Sequence, residues 1–280
     1  MMNDEIPSDT ALMAAAARAA HLIVDQPPVI FADTLAYELL GDRAEEFVGY
    51  HRLHGDHPVL AGARVAVTTR SRYTEDRLAA MTGVDQYVIL GAGLDSFAYR
   101  AGQKSRVFEV DHPATQRWKR RLLADAGTAI PDTVTYLPLD LEKGVDGLLG
   151  NGIDHGRPAL VSWLGVTMYL TREAIGATLA VISGFAPGTE IVLDYMLDPE
   201  LRDAAGQAYA EAIAPVAAER GEPWLSTFGP REIAALFDEH GFDVAEQVGQ
   251  RDAIEAGLWR RSDVLRPAAL SMIARATVRG

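Results

Sequence analysis

Residues 87–96, Tyr-Val-Ile-Leu-Gly-Ala-Gly-Leu-Asp-Ser, run from an apolar segment into two glycines and an aspartate. A turn built on Gly91, Ala92 and Gly93 lets a backbone approach a nucleotide-like ligand with no Cβ in the way. A dinucleotide fingerprint needs a third glycine, G-x-G-x-x-G, and Ser96 stands in its place. Asp95 would face an incoming pyrophosphate, and like charges repel. The loop therefore disfavours a nicotinamide dinucleotide and suits a ligand that carries a cation.

Further acids follow at regular intervals. Glu109 and Asp111 in Phe-Glu-Val-Asp-His-Pro lie 18 and 20 positions after Gly91. An acid at that spacing accepts hydrogen bonds from ribose hydroxyls. His112 is its immediate neighbour. Asp140 closes Leu-Pro-Leu-Asp, where a carboxylate can take an adenine amino group while Leu141 packs the ring. An adenosine with a sulfonium, an ammonium and no phosphate fits all three positions. S-adenosylmethionine has that chemistry.

These side chains form one site only if strands deliver them to one edge. Residues 86–91, 105–111, 133–140, 158–165 and 189–196 are short apolar runs, as expected for strands covered on both faces. Residues 113–127 and 171–185 read as helices between them, Pro113 in the first turn of one and Thr171 opening the other. Glu173 and Glu190 are expected to flank the polar side of the second. Two closing strands, near 242–249 and 269–277, complete the pattern. The alternation predicts an α/β fold with a doubly wound, mainly parallel, seven-stranded Rossmann-like sheet.

The whole chain, 1–280, is expected to be a single domain. Residues 1–82 would form an N-terminal helical cap, 83–196 the cofactor-binding core, 197–228 a helical insertion after strand five, and 229–280 a helix with the closing strands. Ser8 or Asp9 is the expected cap of the first helix, and Gly83 the expected end of the last helix before the core.

Composition narrows the chemistry. The chain has no cysteine, which excludes disulfides, thiolate nucleophiles and cysteine-bound zinc. Its net charge of −13 repels phosphate backbones, so nucleic acid is not an expected partner. No apolar run is long enough for a membrane span, and the acidic, polar opening does not read as a signal peptide, so a cytoplasmic protein is expected. His51, His54 and His57 are closely spaced, but no H-E-x-x-H motif accompanies them and Pro58 follows at once. No metal site is expected.

In this order, TTRSRYTEDRL, VILGAGLDSFAYR, VFEVDHP, LPLDL and WLGVTMYLT resemble the leucine carboxyl methyltransferase-like family of class I S-adenosylmethionine-dependent O-methyltransferases, over about residues 65–200. The resemblance implies a methyltransferase sheet, S-adenosylmethionine as donor and S-adenosylhomocysteine as product, with no metal. It implies Gly91 against the donor, Asp111 at the ribose, and Asp140 with Leu141 at the adenine. It also implies an arginine ahead of the first strand on the donor carboxylate, for which Arg70 and Arg72 both qualify. Many members carry a glutamate where this chain has Leu164. Asp95, or a carbonyl near Gly91, is the candidate replacement for holding the donor ammonium.

Methyl transfer from a sulfonium is an in-line displacement that mainly needs alignment. A carboxylate acceptor needs no base, whereas a hydroxyl usually does. None of the seven histidines stands out as that base, and no catalytic residue is assigned. The acceptor pocket is expected between the N-terminal helices and the insertion, with Tyr169, Tyr195 and Trp224 facing it. The expected activity is O-methylation of a carboxylate or hydroxyl on a small molecule or natural product, in secondary metabolism. The alternatives are a non-catalytic S-adenosylmethionine-binding protein and, more remotely, a nicotinamide-dependent oxidoreductase. The sequence leaves the oligomeric state open.

Overall fold

The computed structural model describes residues 8–100 and 102–280, so the acidic opening stretch lies outside the described residues. Three helices precede the sheet: α1 (Asp9–Val24), α2 (Ala44–His54) and α3 (Pro58–Ala80). Ser8 caps α1 by accepting the Ala11 amide at 3.1 Å. The third helix stops at Ala80 rather than running to Gly83. Met81 is already extended, and Gly83, with φ +77°, falls in the turn into the first strand.

The sheet has seven strands: β1 (Gln86–Leu90), β2 (Arg106–Asp111), β3 (Val134–Pro138), β4 (Leu160–Trp163), β5 (Glu190–Met196), β6 (Phe242–Gly249) and β7 (Ser271–Val278). Their spatial order is β3-β2-β1-β4-β5-β7-β6. The first five are parallel, and β7 runs antiparallel between β5 and β6. Four more helices follow their strands: α4 (Pro113–Asp125), α5 (Arg172–Ile182), α6 (Ala204–Glu219) and α7 (Pro230–Glu239).

The strands β1, β4 and β5 are buried at every position, which is why they read as mainly apolar runs. One core face packs Phe108, Trp163 and Ile191 with residues of α5 and α7. The other face packs Tyr87, Ile89 and Val192 with Leu78 of α3. Fully burying such a side chain stabilises the fold by about 1.5–3 kcal/mol. Glu190 does not flank α5. It opens β5 and pairs with Arg77 of α3 and, at 3.3 Å, with Arg275 of β7.

Strand order reverses between β1 and β4. In a doubly wound sheet that reversal opens a crevice at the carboxyl ends of the strands. No helix among the described residues is long and apolar enough to cross a membrane.

Candidate functional site

A cavity of about 1040 Å³ opens at that reversal. One small-molecule site usually occupies roughly 300–1,000 Å³, so there is room for two ligands side by side. Gly91, Ala92, Gly93, Asp95, Asp111, His112, Asp140, Leu141 and Leu164 all line it. Sequence separations of up to 73 residues therefore converge on one wall (Gly91 to Leu164).

The glycine turn is held from behind by an acid. Asp111 ends β2, and its Oδ2 accepts the Gly93 amide at 2.5 Å while Oδ1 accepts the His112 amide at 2.6 Å. Burial pushes the Asp111 carboxyl above its ordinary range, against the pull of those two amides. Gly91 has φ +67°, and a Cβ there would overlap the Val166 side chain. The turn thus needs glycine for packing as well as for ligand approach. Asp95 accepts the Phe97 amide at 2.8 Å. Ser96, in the third-glycine position, is buried and bonds Asp33 at 2.5 Å instead of facing the cavity.

Asp140 lies two residues past β3, which ends at Pro138 rather than running to residue 140, and stands beside Leu141. Burial alone would raise its carboxyl, but Lys143 at 3.0 Å and the Glu142 amide at 3.1 Å hold it below the usual range. It therefore stays ionised at neutral pH. His112 caps α4, its Nδ1 accepting the Ala114 amide at 3.3 Å.

Arg70 and Arg72 separate cleanly. Arg70 lines the cavity, donating Nη1 to Asp194 Oδ2 at 3.0 Å. A Cβ on Gly165 would overlap its guanidinium, so the side chain lies against bare backbone. Arg72 bonds Asp76 at 2.5 Å and the Ile30 carbonyl at 3.4 Å, outside the cavity. Asp194, which the sequence reading missed, also accepts the Gly165 amide at 2.5 Å. Its signal was an acid inside the buried run Ile-Val-Leu-Asp-Tyr, where an ionised group needs a partner.

Besides Arg72, two expected residues stand elsewhere. Glu109 does not reach the cavity beside Asp111. It is fully buried and pairs with Lys119 of α4 at 2.8 Å. Burial raises its carboxyl, and Lys119 opposes that. Tyr195 is fully buried in β5, its hydroxyl donating to Gln247 Oε1 at 2.7 Å, and it does not line the cavity.

The same cavity includes an apolar chamber walled by two helices. Leu60, Ala63 and Val67 of α3 face it, as do Tyr209, Ile213 and Val216 of α6. Each set recurs at three- and four-residue spacing, one face of a helix. Tyr169 and Trp224 form part of the wall. Among the described residues, no group of three or more His, Asp or Glu is arranged to hold a metal ion.

Comparisons with known proteins agree on one family. The leucine carboxyl methyltransferase family model matches residues 11–183. That match starts in α1, well before the motif blocks first legible in the sequence. YktD of Bacillus subtilis strain 168, named as a candidate S-adenosyl-L-methionine-dependent methyltransferase, is 34% identical over 91% of this chain and 93% of its own. A similarly named protein of Mycobacterium tuberculosis strain H37Rv is 32% identical over 82% of this chain and 79% of its own. Among solved structures, a candidate methyltransferase from Thermobifida fusca superposes with a TM-score of 0.61 at 20% identity, covering 100% of this chain and 97% of that one. A DUF574 family protein from Streptomyces avermitilis gives 0.61 at 16% identity, covering 95% and 97%. At those identities the structural likeness speaks to the α/β fold alone.

Proposed function

The chain belongs to the leucine carboxyl methyltransferase family of S-adenosylmethionine-dependent methyltransferases, and from that premise we propose that it O-methylates a carboxylate or hydroxyl of an apolar small molecule. The observation that carries this reading is the continuity of the cavity. One cavity is lined both by acids and a glycine turn at the strand ends and by apolar residues of α3 and α6.

The residues fit the donor. Its adenosine needs hydrogen-bond acceptors and apolar cover, which Asp111, Asp140 and Leu141 supply. Its amino-acid head carries both charges, for which Arg70 and Asp95 stand on the same cavity wall. The donor supplies an electrophilic methyl group on sulfonium. The chain's own task is to align the acceptor oxygen and exclude water. The apolar faces of α3 and α6 serve exclusion, and Tyr169 and Trp224 border the acceptor space. A carboxylate acceptor requires no base. A small-molecule acceptor, a place in secondary metabolism and a cytoplasmic setting complete the reading.

Leu164 favours one second reading. With no acid there, a protein that holds the donor and transfers nothing is the competitor. The test is mass-spectrometric detection of methylated product from S-adenosylmethionine and a panel of apolar carboxylic acids and phenols. Product formation supports the enzyme. Tight donor binding with no product across the panel supports the binder.

A further inference from the structure

One polar group opens onto the apolar chamber from a network outside the donor wall. His51 of α2 is 5% exposed, and it lines the cavity. Its Nδ1 lies 3.1 Å from Arg64 Nη1. A guanidinium has donors only and keeps its proton, so Nδ1 is the acceptor and the ring's proton sits on Nε2.

Arg64 is itself fixed. It forks onto Asp25 at 2.8 and 2.9 Å and reaches the Gly55 carbonyl at 2.8 Å. Asp25 also accepts from His21 Nδ1 at 2.9 Å, and His21 Nε2 accepts the Ile30 amide at 3.0 Å. Side chains of α1, α2 and α3 therefore lock one tautomer of one imidazole. Burial and the adjacent Arg64 charge also disfavour protonation of His51, against the pull of Asp25. Among the described residues Nε2 has no hydrogen-bond partner and is not one of the fully enclosed polar atoms, and His51 lines the cavity.

An N–H on an apolar wall loses its water when an apolar ligand fills the chamber, unless that ligand brings an oxygen. We propose that His51 is a specificity-determining residue that donates its Nε2 proton to a ketone or hydroxyl oxygen on the body of the methyl acceptor. The proposal rests on the methyltransferase reading of the cavity. Arg64 precedes Arg70 by six residues, roughly 9 Å of helix rise, so the gripped oxygen is distinct from the one that is methylated. The acceptor class is a mostly apolar acid or phenol with a second, uncharged oxygen. His51 is not a base, because its one basic nitrogen is committed to Arg64.

The test uses two near-isosteric probes, para-acetylbenzoate and para-isopropylbenzoate, titrated calorimetrically into protein loaded with S-adenosylhomocysteine. Wild type is expected to bind the ketone about fivefold more tightly. His51→Phe is expected to abolish that preference while keeping its affinity for S-adenosylhomocysteine, and His51→Gln, which retains an N–H, to restore part of it. In case the substitutions impair folding, nitrogen-15 histidine NMR of wild type reads the same contact, as an Nε2 shift produced by the ketone alone. Equal preference in wild type and His51→Phe overturns the proposal. So does failure of either probe to bind protein that holds S-adenosylhomocysteine. A wild type that does not bind S-adenosylhomocysteine overturns the premise, and the proposal falls with it.

Discussion

Arg70 of α3 and Asp194 of β5 meet at 3.0 Å under the loop that follows β4, with the Asp194 side chain 4% exposed and that of Arg70 14%. The second Asp194 oxygen takes the Gly165 amide. One carboxylate therefore ties the helix ahead of the sheet to the loop at the strand reversal. It also leaves the Arg70 guanidinium with donors to spare at the cavity edge, where a donor carboxylate would sit.

That placement separates the two arginines by experiment. Arg70→Ala is expected to weaken S-adenosylhomocysteine binding by about tenfold or more, as removal of a charge-assisted hydrogen bond does. Arg72→Ala breaks a half-exposed pair with Asp76, worth about 0–1 kcal/mol, and a long bond to the Ile30 carbonyl, and should leave donor affinity within about twofold. Calorimetric titration of both variants reads the difference. Equal losses would remove Arg70 from the donor site.

Gly91→Ala places a Cβ against Val166 at a positive φ. A left-handed conformation costs a non-glycine residue about 1–2 kcal/mol before any clash. The variant should melt several degrees lower and bind donor more weakly. Gly91→Ala combined with Val166→Ala should recover part of both losses. Calorimetry of the two variants checks this, and a Gly91→Ala protein as stable as wild type would contradict the packing described.

Trp224 lines the cavity and packs against Met168, Met196 and Leu270, on the side the proposed function gives to the acceptor. Trp224→Ala should raise the acceptor KM about tenfold or more while donor affinity stays unchanged. A reduced donor affinity with an unchanged KM would place Trp224 on the wrong side of the cavity.

Stability should report the locked imidazole. Burial and the Arg64 charge, against the pull of Asp25, hold His51 down to about 4, whereas its ordinary value is 6.5. As pH falls the unfolded chain takes up this proton first. The contribution of the site is therefore full above about 6.5 and is lost progressively toward about 4, amounting to roughly 3 kcal/mol at most. Urea unfolding across that interval should show a flatter pH profile for His51→Phe than for wild type. Parallel profiles would mean that His51 titrates freely in the fold.

The sheet was legible because strands covered on both faces must be apolar throughout, and acids just past such runs mark the carboxyl edge. Asp111 and Asp140 could be placed for that reason. Glu109 was misplaced because it shares Asp111's side of β2, two residues earlier. Only the packing of α4 brings Lys119 over it and seals it inside. Tyr195 failed likewise, since an aromatic near the end of β5 reads the same whether it faces a cavity or a core. Arg70 and Arg72 are two positions apart on one helix and face different ways, yet local spacing does not say which way the cavity lies. The Arg64–His51 contact joins separate helices, and no local pattern announces it.

The central claim is that the wall of Gly91, Gly93 and Asp111 binds S-adenosylmethionine. Its most direct test is calorimetric titration of wild type and Asp111→Ala with S-adenosylmethionine and S-adenosylhomocysteine. The account predicts micromolar binding of both by wild type and a loss of about tenfold to a hundredfold in Asp111→Ala, which gives up a buried carboxylate holding the turn. Well-folded wild type that binds neither ligand, or a variant that binds them as tightly as wild type, would contradict it.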